Sequence, residues 1–386
     1  MLDLARELAA LGAEVSFYSY VSRKRAASFG LLRQNHVALL PLLFPIVLLE
    51  RAFPWFLPGL TERLLCWGLD LAVIARMRRC DIFMPMSGLY LLAARYARWR
   101  YGALIHLHRS SRHILSQKEI LSRLPAARQI TTFTERRELE GYELADRIIA
   151  PSSHVAESFA PWPELYSKVF LNPLGVDIDQ FPLRPDDERP AQPTVLFVGQ
   201  WSYRKGVDIL TEAIRSMPNV RLVHVGALAD APFPDEVRFI HHEPVLQQKL
   251  TDYYATAHVC VLPSREDGFG VVLSQALASG LRVVCTDRTG GPDLARLPGV
   301  SRLIRIVPTE SVEQLRDALI QALDDASRKT GVPPITEAER QLLGWNCYAA
   351  RDLEFMTACC DQRQRVATNS HGSSNSSAAS VYRGRQ

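Results

Sequence analysis

Two acidic residues and two glycines stand immediately before a run of small and apolar residues with the character of a helix. Residues 266–270 read Glu-Asp-Gly-Phe-Gly, and the run extends to residue 280. Because glycine lacks a Cβ atom, the backbone at Gly268 and Gly270 can approach a ligand closely, and the first N–H groups of the following helix attract an anion. The pattern predicts a loop that binds an anion such as a diphosphate, beside acidic and amide side chains.

A second segment carries the positive charge that a diphosphate needs. An apolar run ends at Gly199, a short turn contains Arg204 and Lys205, and an amphipathic pattern begins at Val207. This order predicts a strand, a turn and a helix. Arginine offers a planar fork of donors and lysine a mobile point charge, and together they can neutralise a leaving diphosphate. The alternative is a solvated pair of cations at a helix start, where they oppose the helix dipole.

Both segments resemble motifs of the retaining family 4 glycosyltransferases, which are also called glycosyl transferases group 1. With the Gly-Phe-Gly residues aligned, the first glutamate of the family's E-x7-E signature falls on Asp267 and the second on Gln275. Gln200 stands where the family has an arginine, which leaves Arg204 and Lys205 as the cationic pair. The resemblance implies an α/β protein of the GT-B fold, in which two Rossmann-like domains with parallel sheets face each other across a cleft.

The resemblance also implies roles for single residues. Asp267 would contact the hydroxyls of the donor sugar, Glu266 could substitute for it, and Gln275 would hold the ribose. The loop at residues 289–293 would border the donor pocket. The expected donor-binding residues are Gly199, Arg204, Lys205, Glu266, Gly268, Phe269, Gly270, Val271, Gln275, Gly290 and Gly291.

A histidine ends an apolar run in the first half of the chain. Residues 103–108 are typical of a strand that leads into a cationic loop, and ligands of parallel sheets collect at the carboxyl ends of strands. Family members place a histidine at this strand end, so the resemblance assigns His108 to the catalytic site together with Asp267. His113 is the second choice. A single histidine on a strand is more often structural, and this alternative stays open.

Composition limits the classes of function. The chain has 386 residues, of which 47% are hydrophobic and 22% charged, as expected for two globular domains. A net charge of +4, from 45 basic and 41 acidic residues, is too small to indicate nucleic-acid binding. Of the seven cysteines, Cys260 and Cys285 lie in apolar runs, which favours reduced thiols in a cytoplasmic enzyme.

Strand-like runs alternate with helical patterns, which predicts parallel sheets covered by helices. The runs are residues 14–20, 81–86, 103–108, 147–151, 194–199, 221–226, 259–263, 282–286 and 302–307. We expect an acceptor-side domain at residues 1–180, a proline-rich linker at 181–193 and a nucleotide-sugar domain at 194–361, whose last helix can pack back on the first domain. Residues 362–386 are rich in Ser, Asn and Gly, which predicts a disordered tail.

Family members open with a strand and a Gly-Gly loop before the helix that residues 2–11 resemble. The resemblance therefore implies that the N-terminal domain lacks its first strand. The neighbours of a missing central strand would be left with unpaired N–H and C=O groups, which cost about 1 to 3 kcal/mol for each buried group. We expect the N-terminal domain to be marginally stable.

Asp177 and Asp179 spell D-x-D, the metal-binding signature of a different glycosyltransferase architecture. The surrounding residues 172–181 instead resemble the family's element at the domain junction. Arg204 and Lys205 can supply the positive charge that a metal would bring. We expect neither a metal nor a cofactor, with the nucleotide-diphosphate sugar as a substrate.

An apolar segment suggests peripheral contact with a membrane. Residues 37–49 are apolar but too short to span a bilayer, and two prolines interrupt them. Aromatic residues and arginines follow, which suits anionic lipid headgroups. These residues are Phe53, Trp55, Phe56, Arg76, Arg78, Arg79, Arg95, Arg98, Trp99 and Arg100. A core segment with solvated arginines around it is the open alternative.

The sequence and the resemblance together predict a retaining glycosyltransferase that moves a sugar from a nucleotide-diphosphate donor to a saccharide or lipid-linked hydroxyl acceptor, in surface polysaccharide or lipopolysaccharide biosynthesis. We expect it in the cytoplasm, with contact at the inner face of the membrane as an option. The main alternative is a catalytically decayed GT-B protein that binds nucleotide sugars or acts as a scaffold. A GT-B epimerase or phosphorylase fits less well, because the carboxylates or the cofactor lysine that it needs are not found.

Overall fold

The structure is a computed structural model that describes residues 1–52, 58–125, 129–183, 191–328 and 334–378. Strands and helices alternate along the chain, and the strands form parallel sheets in both halves. Phe53, Trp55, Phe56 and residues 184–190 of the expected linker lie outside the described residues. The domain boundaries that the sequence suggests stay predictions.

The C-terminal half is built on a six-stranded parallel sheet with the order β12-β11-β10-β7-β8-β9. Its central strands β7 and β10 are buried along their whole length and almost entirely apolar, as expected for a parallel sheet that is buried on both faces. The carboxyl ends of β7 and β10 are neighbours, since these strands pair in parallel. Strands β7–β12 span Thr194–Val198, Arg221–Val225, Phe239–His242, Val259–Leu262, Arg282–Thr286 and Ile304–Val307.

In the N-terminal half, β1 and β2 form a parallel pair, and β3-β4-β5-β6 form a four-stranded parallel sheet. All nine predicted strands are found, most of them trimmed by one to four residues. Three further strands, β2, β6 and β9, were not predicted. Strands β1–β6 span Phe17–Ser19, His36–Ala38, Ile82–Phe83, Leu104–His108, Arg147–Ala150 and Val169–Leu171.

Helices connect the strands. In chain order, helices α1–α16 span Leu2–Ala10, Arg23–Ser28, Leu40–Ala52, Pro58–Arg76, Leu91–Tyr101, Ile114–Ser122, Thr132–Leu144, Ser153–Glu157, Pro163–Tyr166, Val207–Arg215, Leu250–Thr256, Val271–Ala278, Gly291–Leu294, Val312–Ser327, Glu337–Gln341 and Trp345–Ala378. In the parts of the chain that are described, no helix combines the length and hydropathy needed to cross a bilayer.

The last helix corrects one expectation. It continues to Ala378, whereas a disordered tail was expected from residue 362. Residues 362–378 contain no proline, and adding residues to a helix that has already formed costs little, so nothing in the sequence forces α16 to stop. Residues 379–386 lie outside the described part.

Helix α16 returns to the N-terminal half. Phe355 of α16 stacks on Phe170 of β6, with ring centroids 3.7 Å apart, and Tyr348 packs among the buried leucines of α1. Just before this helix, the backbone N–H of Val176 donates to the carbonyl oxygen of Leu343 at 2.8 Å, and that of Trp345 donates to the carbonyl oxygen of Val176 at 3.2 Å. These two hydrogen bonds form a junction that holds the start of α16 to the end of the first half.

Candidate functional site

The glycine-containing loop lies between β10 and α12 and touches the N-terminal half. Gly270 has φ +79°, a left-handed conformation that favours glycine, and it directly precedes α12. A Cβ atom at Gly268 would lie 1.7 Å from the carbonyl oxygen of Ser110. The hydroxyl of Ser152 donates to the carbonyl oxygen of Gly268 at 2.6 Å. The absence of a side chain at Gly268 therefore allows the two halves to meet here.

The second motif forms a turn between β7 and α10. After Gly199 the chain makes a short 3-10 turn at Tyr203–Lys205, as the sequence predicted. Arg265 braces this turn, because its guanidinium donates to the carboxylate of Asp208 at 2.7 and 2.8 Å and to the carbonyl oxygen of Tyr203. Sequence reasoning missed Arg265, although it directly precedes the acidic pair.

The two motifs meet through consecutive ion pairs. Nη1 of Arg204 donates to the carbonyl oxygen of Glu266 at 2.9 Å and lies 3.4 Å from its Oε2. Nζ of Lys205 donates to Oδ2 of Asp267. Two neighbouring cations thus face two neighbouring acids at the start of the loop that leads to α12. An anion that enters here would find both cations and the amino end of a helix within reach.

The two acids differ in accessibility. The side chain of Glu266 has no solvent exposure and also accepts a hydrogen bond from the hydroxyl of Ser111, which belongs to the N-terminal half. The side chain of Asp267 is 16% exposed. Asp267 is therefore the better placed of the two to contact a sugar, whereas Glu266 holds Arg204 and the neighbouring loop.

Gln275 lies on α12 with little exposure. Its Oε1 accepts a hydrogen bond from the hydroxyl of Tyr254 at 2.9 Å. An amide oxygen has a second lone pair, and the Nε2 group has two donors, so the side chain keeps hydrogen-bonding capacity. The partner Tyr254 was not foreseen, since no local signal links residues on two separate helices.

Four expected donor-binding residues contribute packing. The ring of Phe269 is buried against Gly290, where a Cβ atom would lie 2.2 Å from the ring, and Gly291 packs on the sulfur of Cys285. Val271 is half-buried in the first turn of α12. At Phe269, Gly290 and Gly291, the backbone is therefore the part best suited to reach a ligand.

The segment after β11 is joined to the N-terminal half through Asp293 of the short helix α13. Its Oδ2 accepts hydrogen bonds from the backbone N–H of Ser153 at 2.8 Å and from the hydroxyl of Ser153 at 3.1 Å. Burial raises the pKa of Asp293 above its ordinary value. Ser152 caps α8 through a 3.2 Å hydrogen bond from the backbone N–H of Val155, and it also contacts Gly268.

His108 ends β4, at the predicted strand end. Burial lowers the pKa of its imidazole to about 3, so the ring is neutral at physiological pH. Its Nε2 is buried and has no partner among the described residues. The ring of His113, by contrast, stacks on that of Trp162 with centroids 3.8 Å apart, and its side chain caps α6. These contacts give His113 a structural role.

The D-x-D residues belong to the junction. Asp177 accepts a hydrogen bond from Gln180 at 2.8 Å and pairs with Arg6 at 3.4 Å. Throughout the described ranges, no cluster of three His, Cys, Asp or Glu side chains could hold a metal ion. The expectation of a reaction without metal or cofactor stays a prediction.

Comparisons with known proteins identify the family and the fold of the chain. The model of Glycosyltransferase Family 4 matches residues 1–180, and that of Glycosyl transferases group 1 matches residues 192–325. A D-inositol 3-phosphate glycosyltransferase of Xylanimonas cellulosilytica is 28% identical over 249 residues, which cover 57% of this chain and 58% of that protein. The chain thus spans less than two thirds of this curated relative.

Two solved structures share the architecture. Anabaena HepE in complex with UDP and glucose matches with a TM-score of 0.64 and 15% identity, covering 92% of this chain and 96% of that one. Sucrose-phosphate synthase from Thermosynechococcus elongatus matches with a TM-score of 0.61 and 19% identity, covering 95% and 92%. At these identities the likeness is one of fold.

Proposed function

Because the chain belongs to the family 4 glycosyltransferases and has the GT-B fold, we propose that it transfers a sugar from a nucleotide-diphosphate donor to a hydroxyl acceptor with retention of the anomeric configuration. One observation carries this proposal. Arg204 and Lys205 face Glu266 and Asp267 beside the amino end of α12, so two sequence-distant motifs form one charged site.

The cations stabilise the leaving group. As the bond between sugar and diphosphate breaks, negative charge grows on the diphosphate and positive charge on the sugar ring. Lys205 and Arg204, together with the first N–H groups of α12, stabilise the negative charge on the diphosphate. In the free protein, Glu266 and Asp267 pair with Arg204 and Lys205. When a donor binds, its diphosphate replaces these carboxylates, so neither cation is left without a partner.

The remaining groups orient the donor. Asp267 accepts hydrogen bonds from the sugar hydroxyls, and Gln275 holds the ribose while Tyr254 fixes its amide. The neutral imidazole of His108, whose Nε2 is unpartnered among the described residues, hydrogen-bonds the sugar without adding charge. The complex of Anabaena HepE with UDP and glucose supports a uridine nucleotide as the first donor to test.

The acceptor is proposed to be a saccharide or a lipid-linked molecule at the cytoplasmic face of a membrane, in surface polysaccharide or lipopolysaccharide synthesis. Helices α3 and α4 support this location, because they expose large apolar side chains that form what we call the apolar face. Its members are Leu42, Phe44, Leu48, Leu60, Trp67 and Leu71. Exposed arginines lie on α4 or directly after it, at Arg63, Arg76, Arg78 and Arg79. Arg95 and Arg98 are already paired with acids.

The test compares donor binding with turnover. Thermal shifts with a panel of UDP- and GDP-sugars report binding, because a ligand of the folded state raises its stability by mass action. Release of nucleotide from the same donors reports chemistry. Binding together with release supports a transferase. Binding of a donor without release of nucleotide supports the decayed binding protein, which is also favoured by Gln200 and Gln275 in place of the family's arginine and glutamate. No binding of any donor would contradict both the transferase and the binding protein.

A further inference from the structure

A buried histidine of the C-terminal half holds the turn that follows β7. His224 lies on β8 without solvent exposure, and its Nε2 is 2.9 Å from the carbonyl oxygen of Gly199. Because a carbonyl oxygen only accepts, Nε2 carries the proton and donates. The ring packs among the rings of Phe197, Trp201 and Phe233, which fix its orientation. The reaction proposed above gives this histidine no role.

A second histidine sets the tautomer of the first. Nδ1 of His241, on β9, lies 3.0 Å from Nδ1 of His224. Burial lowers the pKa of His224 to about 4, so its ring is neutral at physiological pH. With its proton on Nε2, the neutral ring keeps a lone pair on Nδ1, and we assign the proton between the rings to His241. His241 therefore donates to His224, and His224 donates to Gly199.

Three contacts fix the backbone at Gly199. Its N–H donates to the carbonyl oxygen of Val225 at 3.0 Å, and its carbonyl oxygen accepts from His224. A Cβ atom at Gly226 would lie 1.9 Å from that same oxygen, so only glycine leaves room for it. Gly199 itself has φ +144°, a conformation that favours glycine. The carbonyl group of Gly199 is thereby held toward β8.

The direction of this carbonyl group sets that of the next N–H group. In a planar trans peptide the C=O and N–H bonds point in opposite directions, so the N–H of Gln200 points away from β8. The sheet order places β10, which leads into the loop with Asp267, on the side of β7 opposite to β8. Among the described residues this N–H has no hydrogen-bond partner. An unpaired backbone donor therefore lies on the turn that carries Arg204 and Lys205.

We propose that His224 is a positioning residue of the donor site, which acts through the carbonyl oxygen of Gly199 to turn the N–H of Gln200 toward the diphosphate of the donor. This inference rests on the proposed function, because it adds a backbone group to those that bind the diphosphate. An oriented N–H group binds a phosphate oxygen through a charge-assisted hydrogen bond. Gln200 replaces the family's arginine, and its backbone N–H supplies a donor that does not depend on the side chain.

Three variants at position 224 test this role by calorimetric titration of the full chain with UDP. His224→Gln keeps an amide donor with the reach of Nε2 and an oxygen that can accept from His241. His224→Asn carries the same amide on a side chain that is shorter by one methylene, and His224→Phe keeps a ring without a donor. We expect the dissociation constant of UDP to rise about tenfold in His224→Asn and His224→Phe, and to stay within about threefold of the wild type in His224→Gln.

His36→Phe is the matched control. His36 is a buried histidine of the N-terminal half, and its Nε2 is 3.0 Å from the hydroxyl oxygen of Ser19. The variant loses a buried hydrogen bond, so chemical denaturation should show lower stability, but its affinity for UDP should not change. Because His224→Gln and His224→Asn differ only in reach, their comparison keeps the test valid even if His224→Phe fails to fold.

The tautomers of the two rings provide a readout that packing alone would not produce. Nuclear magnetic resonance spectra that correlate ring protons with ring nitrogens should place the proton on Nε2 of His224 and on Nδ1 of His241. The backbone amide signal of Gln200 should shift when UDP binds the wild type or His224→Gln. In His224→Phe at the same UDP concentration this shift should be smaller, because the amide is no longer held.

Two results of the titrations would overturn the inference. One is wild-type affinity for UDP in both His224→Asn and His224→Phe. The other is equally weak binding in His224→Gln and His224→Phe, since ring packing and not the hydrogen bond would then matter. If UDP fails to bind the wild type, the proposed function fails as well. The ring spectra still decide whether His224 holds Gly199, and a proton on Nδ1 of His224 would show that it does not.

Discussion

Nζ of Lys205 donates a hydrogen bond to Oδ2 of Asp267, a residue 62 positions further along the chain. This contact joins the turn after β7 to the loop before α12. It neutralises the lysine in the free protein, and it leaves the carboxylate beside the cation that we propose to bind the diphosphate. The side chains are 13% and 16% exposed, so solvent screens the pair only weakly.

Lys205→Ala should abolish the thermal shift that UDP produces. A charge-assisted hydrogen bond contributes about 1.5 to 3 kcal/mol, so the dissociation constant of UDP should rise by about 10- to 100-fold. Lys249→Ala, at an exposed lysine of the same half, is the matched control and should keep the shift. An unchanged UDP affinity in Lys205→Ala would remove this residue from the diphosphate site.

Gly268→Ala should force the halves apart. A Cβ atom there would lie 1.7 Å from a backbone oxygen of Ser110, which a rotamer change cannot relieve. We expect the free energy of unfolding to fall by about 1 to 3 kcal/mol, as for other overpacked sites. Nucleotide release from the donor should fall as well. Chemical denaturation measures the first effect and a release assay the second.

Gly59→Ala is the control for this substitution. No atom lies within 4 Å of a Cβ placed at Gly59, and alanine is the better helix former. Its stability should equal or exceed that of the wild type. If Gly268→Ala is as stable and active as Gly59→Ala, then the contact between Gly268 and Ser110 is absent in solution.

Gln275→Glu should strengthen binding of a nucleotide. A carboxylate at this position accepts from the hydroxyl of Tyr254 as the amide oxygen now does, and it accepts a ribose hydroxyl through a stronger charge-assisted bond. We expect the dissociation constant of UDP to fall by about tenfold, measured by calorimetry. Gln321→Glu, exposed on α14, should have no effect. Weaker binding in Gln275→Glu would place the ribose elsewhere.

Asp352 should make stability depend on pH. It is fully buried in α16, neither of its carboxylate oxygens has a partner among the described residues, and burial raises its pKa to about 7. In the unfolded chain its pKa is 3.8. At a pH between these two pKa values, Asp352 is protonated in the folded state and ionised in the unfolded state. Stability therefore falls as pH rises from about 4 to about 7, by at most about 1.4 kcal/mol per pH unit.

Denaturation of Asp352→Asn at pH 5 and pH 8 checks this prediction. The neutral amide removes the titration, so the variant should lose less stability between the two pH values than the wild type. Asp324→Asn, at an exposed carboxylate of α14, should follow the wild type. Parallel losses in Asp352→Asn and the wild type would show that the carboxyl group of Asp352 is hydrated in solution.

The apolar face of α3 and α4 should bind lipid. Phe44→Ser combined with Leu71→Ser removes two exposed apolar side chains, which are 56% and 62% exposed. We expect this double variant to sediment less with vesicles that contain anionic lipid, because burial of apolar area and attraction to arginines both contribute to interfacial binding. Leu246→Ser, 72% exposed in the C-terminal half, is the control. Equal sedimentation would leave the face without a membrane role.

The sequence predicted the strands that lie in long apolar runs and missed β2, β6 and β9, of which β6 is apolar but only three residues long. β10 is apolar throughout and β7 is apolar after Thr194, so both stand out in the sequence. β2 has three residues and begins with His36, and β9 ends in two histidines, so their pairing in the sheet overrides a weak local preference. The continuation of α16 to Ala378 was missed because composition alone does not show where a helix stops.

The candidate site was predicted where one motif supplies the residues. Arg204, Lys205 and Asp267 follow from local patterns and the family resemblance, and the structure places them together. The contact between Arg112 and His154 could not be found in this way, because the two residues are 42 positions apart and meet only in the folded chain. Spacing along a sequence carries no information about such contacts.

The junction between the halves restricts how they can move. Val176 is bonded to both Leu343 and Trp345, and the guanidinium of Arg340 donates to the carbonyl oxygens of Ile178 and Phe181 at 2.6 and 2.7 Å. Both passages of the chain between the halves are thereby pinned at one pivot. Any motion of the halves that breaks the hydrogen bond between Ser152 and Gly268 and keeps these junction bonds must therefore turn about the junction.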